Sequence, residues 1–333
     1  MPEDQILTSG SCDPVEMREL KAVFDQGRLI AMPTETVYGL AAPVNRPDLI
    51  ERIFEIKGRP ANNPLIVHVA NIDQARRCVD HWPALADHLA REFWPGPLTL
   101  VLQRSSLICD RVTAGQHSVA LRMPDHPMAL ALINALDCPL VAPSANRFTR
   151  LSPTSAADVA KVFDEQDVLV LDGGPCQVGI ESSILALDES SKTVRLLRPG
   201  QIDRATIEQS LLPGWQLLRS DGAQTDQPPQ APGSTLVHYR PDKPLRVTLV
   251  SDATKRRVLE TSLREDPSSC LVELGDRADS AARSLYGALR DADARSGRFI
   301  DIVILASWQE ESQWEGVVNR LKKAASDWRD LSG

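Results

Sequence analysis

The sequence predicts an α/β protein in two parts, a larger domain on a mixed sheet and a smaller parallel-sheet domain. Three observations predict it. The chain has 333 residues, room for two domains of ~100 to 200 residues each. Short apolar runs of strand length alternate with segments of helical spacing along most of it. From Arg219 to Pro244 the text turns to Asp221-Gly-Ala-Gln-Thr-Asp-Gln-Pro-Pro-Gln-Ala-Pro-Gly233, poor in apolar residues and rich in breakers, which reads as a linker. The expected divisions are therefore 1–218, 219–244 and 245–333.

Taken in order, Asp13-Pro14 opens a helix by the N-cap and first-turn proline rule, with Val15, Leu20, Val23 and Phe24 on one face and Gly27 ending it. A strand follows at 29–32. Past the segment 33–40, helical spacing returns at Leu49, Ile50, Ile53, Phe54 and Ile56, and 65–69 reads as a buried strand. Further strands are expected at 98–102, 119–121, 139–142, 168–171, 184–187 and 194–197, and helices at 83–93, 128–136 and 155–163. Some strands follow one another too closely for a helical crossover, so the sheet is expected to be mixed. Beyond the linker, strands at 245–250, 270–274 and 301–306 alternate with helices at 253–264, 280–294 and 309–325, the rhythm of a parallel sheet. No G-x-G-x-x-G occurs there, so a Rossmann-like topology need not bind a dinucleotide.

Composition narrows the class. At 42% hydrophobic and 25% charged residues the chain is an ordinary globular one, and disorder throughout is excluded. Its 37 basic and 45 acidic residues give a net charge of −8, and neither part is basic, which argues against gripping nucleic acid through an overall field. No apolar stretch approaches the roughly 18 residues of a membrane span, and Glu3 and Asp4 stand where a signal peptide would be basic, so a cytoplasmic protein without membrane attachment is expected. Six cysteines lie scattered without a C-x-x-C pair and six histidines are equally dispersed. The thiols are read as reduced core groups, and no transition metal is expected.

No Walker A loop, G-x-S-x-G elbow or H-E-x-x-H helix occurs. What remains is a set of polar clusters at strand ends: Pro33-Thr-Glu-Thr-Val-Tyr-Gly-Leu40, Lys57-Gly-Arg-Pro-Ala-Asn-Asn-Pro-Leu-Ile-Val-His68, Ser118-Val-Ala-Leu-Arg122, Ala142-Pro-Ser-Ala-Asn146 with Ser152-Pro-Thr154, Gly179-Ile-Glu-Ser-Ser183 and Arg198-Pro-Gly200. Three windows (56–72, 138–157 and 190–202) hold basic residues and no acid, so a shared anion-binding cleft is the economical reading. Singly, Thr34 and Thr36 also suit a turn, Ser144 and Ser152 a local cap, Arg198 a surface position, and His68 a satisfied core histidine. Lys57 and Arg59 around a glycine, followed by Asn62-Asn63-Pro64, make a poor packing element and a good phosphate clamp.

Together and in this order the clusters closely resemble the YrdC-like L-threonylcarbamoyladenylate synthases, in the longer form with a C-terminal accessory domain. The resemblance spans 29–200, continues through Ala231-Pro-Gly-Ser-Thr-Leu-Val-His-Tyr-Arg-Pro241, and reaches Asn319-Arg-Leu-Lys-Lys-Ala-Ala325 more loosely. It implies a YrdC-like twisted mixed sheet with an open cleft plus a Rossmann-like domain, and a nucleotidyltransferase that converts ATP, L-threonine and bicarbonate to threonylcarbamoyl-AMP and pyrophosphate. That product serves the threonylcarbamoylation of the adenosine beside the tRNA anticodon, passed on by a tRNA threonylcarbamoyl transferase. By matching motif, Thr36, His68, Arg122, Ala142 and Ser182 are implied as threonine contacts. Arg59, Asn63, Ser118, Ser144, Ser152, Arg198 and Tyr239 of the linker are implied as ATP contacts, with Lys57 and Arg59 facing the phosphates as the catalytic cations. Mg²⁺ is expected with the ATP, and His68, Glu35 and Glu181 are candidates for proton or metal handling. The chain departs from the family at Phe148-Thr149, where a glycine is usual, at Ser183 for Thr and at Ser234 for Met. Another carbamoyl-transfer enzyme on the same domain, or a module that binds RNA weakly through the basic cleft, stays open as an alternative.

Overall fold

The computed structural model of the chain describes residues 6–7, 13–163, 167–218 and 238–333. Its first sheet is built from β1 (Ile6–Leu7), β2 (Leu29–Met32), β3 (Gly39–Pro43), β4 (Ile66–His68), β5 (Leu98–Gln103), β6 (Ser118–Arg122), β7 (Leu140–Val141), β8 (Val168–Leu171), β9 (Ser183–Asp188), β10 (Thr193–Arg198) and β11 (Gln216–Leu218). They lie in the order β1-β8-β2-β3-β7-β4-β6-β5-β9-β10-β11. The sheet is mixed as expected: β2 runs parallel to β8 and antiparallel to β3, and β6 parallel to β4 and antiparallel to β5. A tight connection reverses the chain, and only a longer crossover keeps its direction.

The second sheet holds β12 (Leu245–Val250), β13 (Ser269–Leu271), β14 (Phe299–Leu305) and β15 (Asp327–Leu331), all parallel, in the order β13-β14-β12-β15. Helices Ala253–Glu265, Ala278–Ala294 and Glu315–Ala324 supply the crossovers. The apolar stripe of the second of these, Ala281, Ala282, Leu285, Tyr286 and Leu289, is fully buried, the i, i+4, i+8 pattern that seats a helix on a sheet.

Four expectations change. The first helix is broken at Leu20 into Pro14–Glu19 and Lys21–Asp25, and its buried stripe is Met17, Leu20 and Phe24, with Val15 60% exposed. Residues 39–43 form a strand that no alternation announced, because β3 is buried on both faces between β2 and β7. The helix expected at 155–163 is confined to Ala156–Ala160, opened by a capping box between Ser155 and Asp158. The helix expected at 309–325 begins only at Glu315. Two 3₁₀ turns precede it, where the indoles of Trp308 and Trp314 stack at 3.6 Å, so apolar spacing there serves an aromatic pair.

The two sheets are not independent bodies. The apolar cluster under the second sheet takes in Val37, Leu151 and Ile180 from the loops of the first part and Tyr239 from the end of the linker. The approach is close enough to need glycines: a Cβ on Gly179 would lie 2.5 Å from the Arg283 Cα, and one on Gly316 would lie 2.8 Å from the Gly200 carbonyl oxygen. Among the described residues no helix is long and apolar enough to cross a membrane, and Cys78, Cys109, Cys138, Cys176 and Cys270 carry free thiols.

Candidate active site

The polar clusters converge because the strands that precede or follow them are neighbours. β4 and β6 are parallel, and their last residues, His68 and Arg122, are register partners, which places both at carboxyl ends of strands, where ligands of α/β sheets bind. After β2, Thr34 closes a turn: its Oγ1 donates to the Val37 carbonyl at 2.7 Å, and lies 2.9 Å from the Thr36 hydroxyl. Thr34 is thus both a turn former and part of the wall. At the end of β10 a bulge between Leu196 and Arg198 shifts the register and re-aims Arg198. Its Nε then donates to the Ser182 carbonyl and its Nη2 to the Ser182 hydroxyl, both at 3.0 Å.

The resulting pocket is a partly open cleft with about 560 Å³ of empty space, open solvent included. Its wall carries Arg59, Arg122 and Arg198 against a single carboxylate, Glu181. Arg122 is balanced from behind by Glu35, Nη2 to Oε1 at 2.6 Å. Among the described residues Arg59 meets no acid: its guanidinium donates to the Asn63 carbonyl, the Asn63 side-chain oxygen and the Pro64 carbonyl at 2.8–3.2 Å. Burial, with Arg198 adding repulsion, pulls the Arg59 pKa down to about 9. Burial also lowers that of Arg198. A buried cation without a counter-ion is costly, and a bound anion removes that cost, so the wall is prepared for negative charge. Burial and the adjacent Arg122 hold His68 neutral, its pKa down at about 3, so its ring offers a lone pair as well as an N–H.

Of the residues singled out by sequence, Thr36, Arg59, His68, Arg122, Ala142, Ser144, Arg198 and Tyr239 line the pocket. Four others stand behind it. Lys57 is buried and its Nζ donates to the Ser144 and Asn146 carbonyls, each at 2.5 Å, so it braces the Ala142–Asn146 loop and does not line the wall. Asn63 orients Arg59 and keeps a buried Nδ2 that has no partner among the described residues. Ser152 donates to Glu181 Oε1 at 2.5 Å, and Ser182 bridges Thr99 and Arg198. Ser118 opens β6, and four strand rises of ~3.3 Å put it ~13 Å from Arg122; it is half-buried and lies outside the lining. Tyr239 and His238 enter from the end of the linker, packed together at 4.1 Å between ring centroids, with Tyr239 held at φ +64°. The rest of the linker, 219–237, lies outside the described residues. Ile66, Val37 and Pro143 also line the pocket. Sequence reasoning missed them because an apolar wall residue reads like any core residue.

The two carboxylates nearest the pocket are both committed, Glu35 to Arg122, and Glu181 to Ser152 and Arg320. Among the described residues no cluster of three metal-ligating side chains exists. Among the described residues the pocket thus offers no carboxylate that is not already bonded to an arginine.

A protein-family model described as telomere recombination matches residues 22–200, and one described as threonylcarbamoyl-AMP synthase, C-terminal domain, matches residues 202–326. The chain is 37% identical to the threonylcarbamoyl-AMP synthase of Bacillus subtilis, over 97% of its own length and 95% of the relative's. It is also 37% identical to that of Pyrococcus abyssi, over 90% and 91%. Its fold superposes on the crystal structure of Pyrococcus abyssi Sua5 complexed with L-threonine with a TM-score of 0.86 and 34% identity, covering 96% of this chain and 97% of the other. It superposes equally, at 0.86 and 33% identity, on a form of that protein in which an adjacent His and Tyr are both changed to Ala.

Proposed function

The chain belongs to the two-domain threonylcarbamoyl-AMP synthases, and from that premise we propose how its pocket makes threonylcarbamoyl-AMP and from which substrates. Bicarbonate, or the carbon dioxide in equilibrium with it, reacts with the threonine amine to give a carbamate. A carbamate oxygen attacks the α-phosphorus of ATP, the bond to the β-phosphate oxygen breaks, and pyrophosphate leaves. Counted from the ammonium form of threonine and bicarbonate, one water and one proton are released, and the nitrogen keeps one hydrogen in the product.

The carrying observation is the wall itself: three arginines around one pocket that offers a single carboxylate, beside a histidine held neutral. Arg122 takes the threonine carboxylate in this reading, with Thr36 and His68 fixing the hydroxyl and amine, Ser182 supporting Arg198 from behind and Ala142 closing the wall. The forked guanidinium of Arg59 and that of Arg198 take the phosphates, where negative charge grows as pyrophosphate departs. Ser144 and Tyr239 hold the remainder of the nucleotide. Lys57, Asn63 and Ser152 act one layer back, on the loop and side chains that touch ATP. Magnesium arrives with the ATP phosphates. No base is dedicated to the carbamate step, so the acceleration comes from positioning, for which effective molarities of ~10⁵ M or more are available. The product serves tRNA threonylcarbamoylation through a separate transferase.

The test is mass spectrometry of the products from ATP, L-threonine and bicarbonate, with pyrophosphate followed in parallel. Threonylcarbamoyl-AMP and pyrophosphate appear together, and pyrophosphate release stops when either threonine or bicarbonate is withheld. Equal release in bicarbonate-depleted buffer would refute the carbamate as nucleophile.

A further inference from the structure

The most heavily bonded carboxylate of the pocket is held from the other domain. Glu181 sits in the loop between Gly179 and β9, 6% exposed. From the helix Glu315–Ala324, Arg320 donates through Nε to Glu181 Oε2 at 2.9 Å, through Nη2 to the Glu181 carbonyl at 3.0 Å and through Nη1 to the Pro199 carbonyl at 2.5 Å. From the helix Ala278–Ala294, the Tyr286 hydroxyl donates to Glu181 Oε2 at 3.0 Å. Arg320 is 1% exposed and Tyr286 is wholly buried, so neither contact is a surface embellishment. Gly179 and Gly316 let the two backbones approach closely enough for these bonds. On the same helix as Tyr286, Arg283 bonds the Gln177 carbonyl and Arg290 the Ser152 carbonyl.

The consequences reach the nucleotide side of the pocket. Glu181 Oε1 receives the Ser152 hydroxyl, and the residues that Arg320 braces, Glu181 and Pro199, are the chain neighbours of Ser182 and Arg198. Burial alone would push the Glu181 carboxyl up, but Arg320 first, then Arg198 and the Ser152 hydroxyl, outweigh it and bring it down to about 2. Glu181 is therefore an anion with two guanidinium groups near it, and Arg320 is the one that bonds it. While Arg320 satisfies Glu181, Arg198 keeps its bonds to the Ser182 carbonyl and hydroxyl at the pocket wall. Without Arg320 the buried anion would be left with Arg198 as the other guanidinium that acts on it, and a buried charge left unpaired recruits whatever partner it can reach.

We propose that Arg320, assisted by Tyr286, is a positioning residue supplied by the second domain, which by occupying Glu181 keeps that carboxylate from drawing Arg198 away from the place where it meets ATP. The proposal rests on the assignment of Arg198 to the ATP phosphates made above. It gives the second domain a direct part in the nucleotide site.

The experiment measures ATP binding and threonine binding separately by calorimetry on the full chain, with steady-state pyrophosphate release alongside. Arg320→Met keeps the length and removes the charge; it weakens ATP binding by about tenfold or more while threonine binding changes less than about threefold, since a broken buried pair acts mostly on its nearest charges. Adding Glu181→Gln to Arg320→Met removes the anion that captures Arg198, and ATP affinity returns to within about threefold of wild type. A role confined to docking the domains predicts the opposite: both substrates weaken together and the second substitution restores nothing, which would overturn the proposal. Should Arg320→Met not fold, Tyr286→Phe removes one hydroxyl from the same carboxylate and weakens ATP binding by about threefold; unchanged ATP affinity there also overturns it. If the wild-type protein binds ATP but forms no threonylcarbamoyl-AMP, the reaction assigned above is at fault, and the binding comparison still decides the role of Arg320.

Discussion

Thr149 and Tyr239 face one another across a backbone contact, the Arg240 amide donating to the Thr149 carbonyl at 2.8 Å, and both lie in the left-handed region, at φ +68° and +64°. A β-branched residue is poorly suited to that conformation, at roughly 1–2 kcal/mol over glycine, whose own entropy cost on folding offsets ~0.5–1 kcal/mol of it. The missing loop glycine noticed in the sequence is thus a local strain beside the pocket. Thr149→Gly is expected to stabilise the protein by about 1 kcal/mol, read as a rise in melting temperature of roughly 2 °C; an unchanged or lower value would show that the Thr side chain compensates its backbone. Tyr239 pays the same conformational cost in a position where its ring lines the pocket, which agrees with strain being kept at binding sites.

At the scale of elements, Gly316 opens the helix Glu315–Ala324 that carries Arg320. Helix propensity alone favours Ala over Gly by ~1 kcal/mol. The added Cβ, however, would lie 2.8 Å from the Gly200 carbonyl oxygen and 2.9 Å from Ile180 Cδ1, and the backbone oxygen cannot turn away as a flexible side chain can. Gly316→Ala is therefore expected to lower the melting temperature and to weaken ATP binding, the reverse of what propensity predicts. Circular-dichroism melting of the two proteins decides it, and a more stable alanine variant would show that the interface yields freely. The sequence showed this helix and the earlier Ala278–Ala294 as amphipathic segments, but not that the first would be delayed to Glu315 by a stacked tryptophan pair.

Across the whole molecule, two buried histidines set the response to acid. Burial, aided by Arg122, holds His68 at about 3, and burial, aided by Arg59 and Lys57 against the opposing Glu181, holds His238 at about 3. Both groups are depressed below their ordinary value, so between about pH 6.5 and pH 3 the unfolded chain binds protons that the folded chain refuses, and stability falls as pH falls. Each contributes up to about 1.4 kcal/mol per pH unit in that window. Glu181, held at about 2, adds a loss in the same direction below about pH 4.5. Melting temperature is expected to drop between pH 7.5 and pH 5.5, and the double substitution His68→Gln with His238→Gln to flatten the drop. An identical drop in the double variant would place the acid sensitivity elsewhere.

The sequence by itself determined the mixed α/β character, the parallel second sheet, and the pocket residues that carry chemistry in their own type: Arg59, Arg122, Arg198, His68 and Thr36. Local spacing encodes strands and helices, and charged or polar residues at strand ends advertise themselves. It left β3 unread because a strand buried on both faces has no alternation, and it left Lys57 facing phosphates because burial behind the Ala142–Asn146 loop has no local signature. Arg320 and Tyr286 were invisible for a deeper reason. They meet Glu181 across 139 and 105 residues of chain, and a pairing at that separation is specified only by how two packed surfaces come together. That close approach is a property of tertiary structure, and it is what joins the second domain to the site of the first.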